Sequence, residues 1–269
     1  AFSEIMYKPA PRTDSNNVEF IELYNSNPWF HDIGGFRIEA SGMSYAIPTG
    51  TVIAGGAYLV IAASPAGLSA VYGVTNALGP YTGSLKTKDT LRLYDERGSE
   101  LLVMSYENKR PWPVGADETG HSLILANPTY GERDPRAWDI SSLVGGTPGT
   151  MNTYVPDALD GVVINEFLAH TDPPLHDYLE LYNHGNTARD LSGAWLSNSP
   201  KTNKYRIPDG TILPARGFVA FEDITLGFRL DTMGDRIYLV NSNATRTIDA
   251  IDFDGQENPV SSGRVPDGG

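Results

Sequence analysis

Val163-Ile164-Asn165-Glu166-Phe167, a polar loop, then Asp177-Tyr178-Leu179-Glu180-Leu181-Tyr182-Asn183 is the stretch that decides the fold. Far upstream, Phe2-Ser3-Glu4-Ile5-Met6 and Glu19-Phe20-Ile21-Glu22-Leu23-Tyr24-Asn25 present the same residue types in the same order. One architectural unit is therefore used twice. In Phe20–Tyr24 the aliphatic Ile21 and Leu23 alternate with Phe20, Glu22 and Tyr24. A pleated strand would place the aliphatic set on one face and the aromatic set, with its carboxylate, on the other.

Outward from these strands the repeat continues through turns. Asp32-Ile33-Gly34-Gly35 and Asp190-Leu191-Ser192-Gly193 each begin with an Asp whose carboxylate is expected to cap the turn. Tyr45-Ala46-Ile47-Pro48-Thr49-Gly50-Thr51 matches Tyr205-Arg206-Ile207-Pro208-Asp209-Gly210-Thr211. Pro cannot donate to a ladder, so Ile-Pro ends a strand and the following Gly reverses the chain. Ser64-Pro65, then Leu68, Val71, Tyr72 and Gly73, carry the cap, first-turn Pro and terminal Gly of one short helix in unit one. Residues 76–88 read as a loop over one edge, a connection that unit two shortens to residues 222–229. Asp89–Asp95 with Leu101–Tyr106, and Asp235–Asn241 with Ile248–Phe253, read as hairpins. His121–Leu125 is expected as the last strand of unit one, with Gly263-Arg264-Val265 at the corresponding place in unit two.

From Ala126 to Gly161 the strand signal fades around a solitary Trp138, which is expected to pin this tail onto unit one. Gly145-Gly146-Thr147-Pro148-Gly149 cannot be regular structure and announces a boundary. The expected domains are residues 1–152, a linker at 153–161, and residues 162–269, the last cut short at its C-terminal end. With 28 Gly and 19 Pro and no sustained helical period, the fold class is all-β.

The net charge is −13, with 33 acidic and 20 basic residues, and Lys and Arg do not cluster. Such a field repels nucleic acid phosphates, so a nucleic acid partner is not expected. Cysteine is absent, which rules out disulfides and thiolate metal sites. No apolar run approaches the length of a membrane-spanning helix. The chain enters strand-like sequence at once, as after removal of a leader or in an excised fragment.

Taken together, Asn-Glu-apolar, Tyr-Leu-Glu-Leu-Tyr-Asn, Asp-Leu-Ser-Gly with Trp195 nearby, and Tyr-x-Ile-Pro-x-Gly-Thr resemble the lamin tail domain. The resemblance covers Val162–Gly269. It also covers Phe2 to about Asn152, where Ser3 replaces Asn and Gly34 replaces Ser. It implies two immunoglobulin-like β-sandwiches in tandem, with no catalytic residues to carry over. Bacterial members occur in large secreted or surface proteins, so an extracellular or cell-surface location is implied. Trp112-Pro113, Gly120-His121-Ser122-Leu123 and Gly146-Thr147-Pro148-Gly149-Thr150-Met151-Asn152 resemble the way bacterial members close the domain, and the chain is expected to continue past Gly269.

Few residues suggest chemistry. His170, His176 and His184 crowd the first loop and second strand of unit two with Glu166, Asp172 and Asp177. Glu166, His170, Asp172, His176 and Asp177 could hold a divalent ion such as zinc if the loop folded back, but Pro173-Pro174 extends it and a solvated turn is expected. Calcium is compatible with the acidity, although no Asp-x-Asp-x-Asp-Gly loop is present. Glu22 and Glu180 sit mid-strand among aromatic neighbours, and a structural role is expected for both, accepting hydrogen bonds from a loop. No nucleophile elbow, phosphate loop or zinc-protease helix appears. The expectation is a monomeric, non-catalytic spacer or adhesion module for a protein or glycan partner, needing no cofactor and not inserting into membranes. The alternative is an accessory module that positions substrate for a secreted hydrolase or nuclease domain elsewhere.

Overall fold

The two faces of Phe20–Tyr24 are both buried, against different partners. In the computed structural model, which describes residues 1–269, Ile21 and Leu23 enter the main core of their unit and Phe20 joins a separate apolar cluster behind it. The chain forms two compact units, Ala1–Tyr154 and Val155–Gly269.

Unit one begins with strands β1 Phe2–Met6, β2 Phe20–Tyr24, β3 His31–Asp32, β4 Arg37–Glu39, β5 Met43–Ala46, β6 Val52–Ile53 and β7 Tyr58–Ala62. Helix α1 Pro65–Tyr72 follows, then β8 Thr82–Gly83, β9 Lys88–Tyr94, β10 Glu100–Glu107, β11 Leu123–Leu125 and β12 Trp138–Ile140. The strands pair into two five-stranded sheets, ordered β12-β11-β1-β2-β7 and β10-β9-β4-β5-β8. Phe2, Ile5, Ile21, Leu23 and Ile61 of the first sheet share one buried cluster with Ile38, Leu91, Met104 and Tyr106 of the second. Each such side chain contributes roughly 1.5–3 kcal/mol of burial, opposed by the entropy of ordering the chain.

The outer face of the first sheet is covered as well. Met6, Phe20, Val60 and Ala62 pack with Leu68 of α1. That helix forms where expected: Ser64 Oγ accepts from Gly67 N at 3.0 Å, Pro65 opens the first turn, and Gly73 closes it in the left-handed conformation. Trp138 does hold the tail, stacking its indole 6.1 Å from that of Trp112 and donating Nε1–H to Glu132 O at 2.9 Å. The tail is more regular than the sequence suggests, because Trp138–Ile140 pairs with β11 as a further strand.

Unit two contains β13 Val162–Leu168, β14 Tyr178–Asn183, β15 Arg189–Asp190, β16 Trp195–Ser197, β17 Tyr205–Arg206, β18 Ile212–Leu213 and β19 Phe218–Glu222. A one-turn helix, α2 Asp223–Leu226, occupies the shortened connection, followed by β20 Gly234–Val240, β21 Thr247–Asp254 and β22 Ser262–Gly263. Its sheets have four strands each, ordered β19-β14-β13-β22 and β17-β16-β20-β21. Ile164, Phe167, Leu179 and Leu181 face Leu196, Ile237, Leu239 and Phe253 across the core. Each order reproduces that of unit one without β12 or β8. The turns repeat in detail: Asp32 Oδ1 accepts from Gly34 N and Asp190 Oδ1 from Ser192 N, both at 2.9 Å. Thr51 and Thr211 each donate Oγ1–H to the carbonyl of the preceding Pro, at 2.7 Å. The architecture is all-β, with two immunoglobulin-like sandwiches built on one plan.

Candidate functional site

The polar feature that sequence reasoning placed only in part is a pair of carboxylates inside unit one. Between Phe2 and Glu4 the β1–β2 register shifts by one residue, a β-bulge at Ser3. The bulge keeps both Phe2 and Ile5 in the core and turns Glu4 to the outer face, directly opposite Glu22. Both carboxylates are fully buried. Reading Glu22 and Glu180 as counterparts in separate domains was sound, but each has a partner in its own unit that only the bulged register reveals.

The pair is roofed by the Gly-Pro segment. Thr147 N donates to Glu4 Oε1 at 3.0 Å, and Gly149 N donates to Glu22 Oε2 at 2.6 Å. Ser122 Oγ donates to Glu4 Oε1, and Ser3 Oγ donates to Glu22 Oε1 at 2.6 Å. Gly146 has φ +70°, and a Cβ there would stand 1.7 Å from Glu4 Oε1, so only glycine lets the segment approach. The expectation that Glu22 accepts from a loop therefore holds, and the loop is the closing segment of its own unit.

Burial raises Glu4 from 4.5 to about 8, opposed by the Ser122 hydrogen bond and assisted by the neighbouring Glu22 charge. Burial likewise raises Glu22 to about 7, against the hydrogen bonds from Ser3 and Gly149. Two carboxylates opposed across a ladder cannot both ionise cheaply. Sealed from solvent, the pair has no face to offer a substrate, and its chemistry is that of a proton-dependent anchor for residues 146–149.

In unit two the same bulge recurs between Ile164 and Glu166, and Glu166 stands opposite Glu180. Both remain partly exposed. Glu166 accepts from the Tyr178 hydroxyl, and Glu180 accepts from Asn165 Nδ2 at 3.2 Å. The other candidate ligands face separate partners. His170 Nδ1–H donates to Gln256 O at 2.8 Å, since a carbonyl can only accept. Asp172 accepts from Asn258 Nδ2 at 2.8 Å, and Asp177 from Thr171 Oγ1 at 2.8 Å. His176 Nδ1 lies 3.1 Å from Asp223 Oδ1, whose carboxylate also meets Arg229 Nε at 3.3 Å. Nowhere do three or more His, Asp or Glu side chains converge in a way that could hold a metal ion. Closeness along a Pro-extended loop did not become closeness in space.

Comparison with curated proteins returns no match. The family model described as Lamin Tail Domain matches residues 1–108 and 156–255, which is most of both units. That fold is an immunoglobulin-like one and in general non-catalytic, in keeping with carboxylates that anchor a loop rather than face a cleft. The chain belongs to the lamin tail domain family, whose fold it carries twice in tandem.

Proposed function

We propose that this chain is a non-catalytic structural and interaction module of a larger exported protein, presenting its turns to a partner from two spacer-like sandwiches. The observation that carries the reading is the fate of Glu4 and Glu22. The paired acids with raised pKa values, which a catalyst would aim at a cleft, lie fully buried beneath Thr147 and Gly149 and secure the domain's own closing segment. The acidic charge of −13 and the occurrence of bacterial lamin tail domains in secreted or surface proteins support an exported setting.

The test is localisation in the source cell with an antibody raised against this fragment. Labelling of intact cells, or recovery of the antigen from the medium, is the expected result. Antigen found only after lysis, in the soluble interior, would overturn the exported reading.

A further inference from the structure

The turn after β2 comes with an internal control, because the turn after β14 has the same hydrogen-bonded frame and different side chains. Asn25 Nδ2 donates to Trp29 O at 2.9 Å, Ile53 O at 3.1 Å and Ala54 O at 3.1 Å, while its Oδ1 accepts from Asn27 N at 3.1 Å. Asn183 Nδ2 donates to Thr187 O at 2.8 Å, Leu213 O at 3.3 Å and Pro214 O at 3.0 Å, while its Oδ1 accepts from Gly185 N at 2.9 Å. One buried amide therefore sets the path of both turns. At the tip, unit two carries Thr187 and Ala188 where unit one carries Trp29 and Phe30.

The frame thus does not require aromatic side chains, yet Trp29 and Phe30 stand 64% and 68% exposed. Nor is the turn loosely held. A Cβ on Gly55 would lie 2.4 Å from the carbonyl carbon of Pro28 and 2.8 Å from Trp29 N, so the turn is seated directly on the β6–β7 connection. The corresponding position in unit two is Ala215. Two adjacent rings on a fixed turn, unnecessary to the fold and out in solvent, form a contact surface.

The surroundings decide the partner. Asn27 and His31, which flank the two rings in sequence, line a groove of about 200 Å³ with Tyr24, Ser26, Phe36 and Leu101. No acidic or basic Asp, Glu, Lys or Arg side chain lines it, in a chain of net charge −13. Amide, hydroxyl and imidazole groups beside flat apolar rings match the hydroxyls and C–H faces of a sugar. A stable protein interface buries about 1,200–2,000 Å², whereas aromatic side chains offer about 150–250 Å² each.

We propose that Trp29 and Phe30, with the groove bordered by Asn27 and His31, form a binding site for neutral carbohydrate. The site rests on the interaction-module reading and gives it a ligand class. Trp29 is the stacking platform, and the groove supplies hydrogen bonds to an adjoining sugar unit.

The test uses the full chain and the double variant Trp29→Thr/Phe30→Ala, which installs the unit-two side chains on a frame already known to accept them. Affinity gels containing soluble β-glucan, xylan, mannan or pullulan should retard the wild type on at least one polysaccharide. The dissociation constant should weaken by about tenfold or more in the double variant, at an unchanged melting temperature. Absence of retardation on all four polysaccharides, or equal retardation of both proteins, overturns the site. So does tip-dependent self-association in sedimentation, which would assign the rings to a second copy, or tip-dependent binding to phosphatidylcholine vesicles, which would assign them to lipid. None of these outcomes touches the exported-module reading, which fails only on localisation.

Discussion

At the scale of single residues, Glu4 and Glu22 make unit one sensitive to pH. Both are raised in the folded protein above the ordinary 4.5, to about 8 and about 7. Below 4.5 both states are protonated and the folded pair contributes its full stability. As pH rises toward 8 the unfolded chain ionises first, and that contribution is lost at about 1.4 kcal/mol per unit of displacement. Glu4→Gln removes one of the two titrations while preserving the acceptor for Ser122. Melting curves of residues 1–154 recorded from pH 5 to pH 8 should therefore show the variant gaining on the wild type as pH rises; parallel curves would refute the protonated pair. Gly146→Ala acts through shape instead, because its Cβ would collide with Glu4 and the backbone is left-handed there. A loss of roughly 2–4 kcal/mol is expected in chemical denaturation of unit one. Glu22 could be singled out from its strand pattern, whereas Glu4 could not be paired with it, because a one-residue bulge at Ser3 changes which residues face each other without leaving a mark in local alternation.

At the scale of elements, the strands that alternate in sequence are the strands that form, since alternation is a local consequence of one buried face. β12 was not legible for the opposite reason. Its three residues, Trp138–Ile140, become a strand only by pairing with β11, a long-range contact to which Trp138 supplies the anchor against Trp112. Trp138→Ala should cost about 3–5 kcal/mol as a buried large-to-small change. It should also free the segment around residues 126–150, so limited proteolysis followed by mass spectrometry should find new cuts there before any in β1 or β2. Cuts scattered evenly through unit one would contradict this order. The candidate ligands of unit two failed to converge for an equally physical reason. Thr171, Gln256, Asp223 and Asn258 each claim one of them, so the loop is fixed by several separate bonds rather than by one centre.

At the scale of the whole molecule, each unit has its own closed core, with Ile21 and Leu91 in one cluster and Leu181 and Ile237 in the other. Residues 1–154 and 155–269, produced separately, should each unfold in one cooperative transition, as calorimetry can check; a fragment without a transition would mean its core is incomplete alone. Calcium, zinc or chelator should leave the melting temperature of the full chain in place, because a ligand stabilises only a state that holds it. A shift of several degrees with one ion would return the carboxylates and histidines of the β13–β14 loop to the role of ligands. The asparagine-held turn has a consequence beyond recognition by one unit. Asn25 and Asn183 fix two frames whose outermost side chains, Trp29-Phe30 and Thr187-Ala188, contribute nothing to that fixing. Drift at those four positions is thus uncoupled from folding, and a single chain can acquire two unrelated specificities, one per repeat, or be diversified into a bispecific binder without redesign of either sandwich.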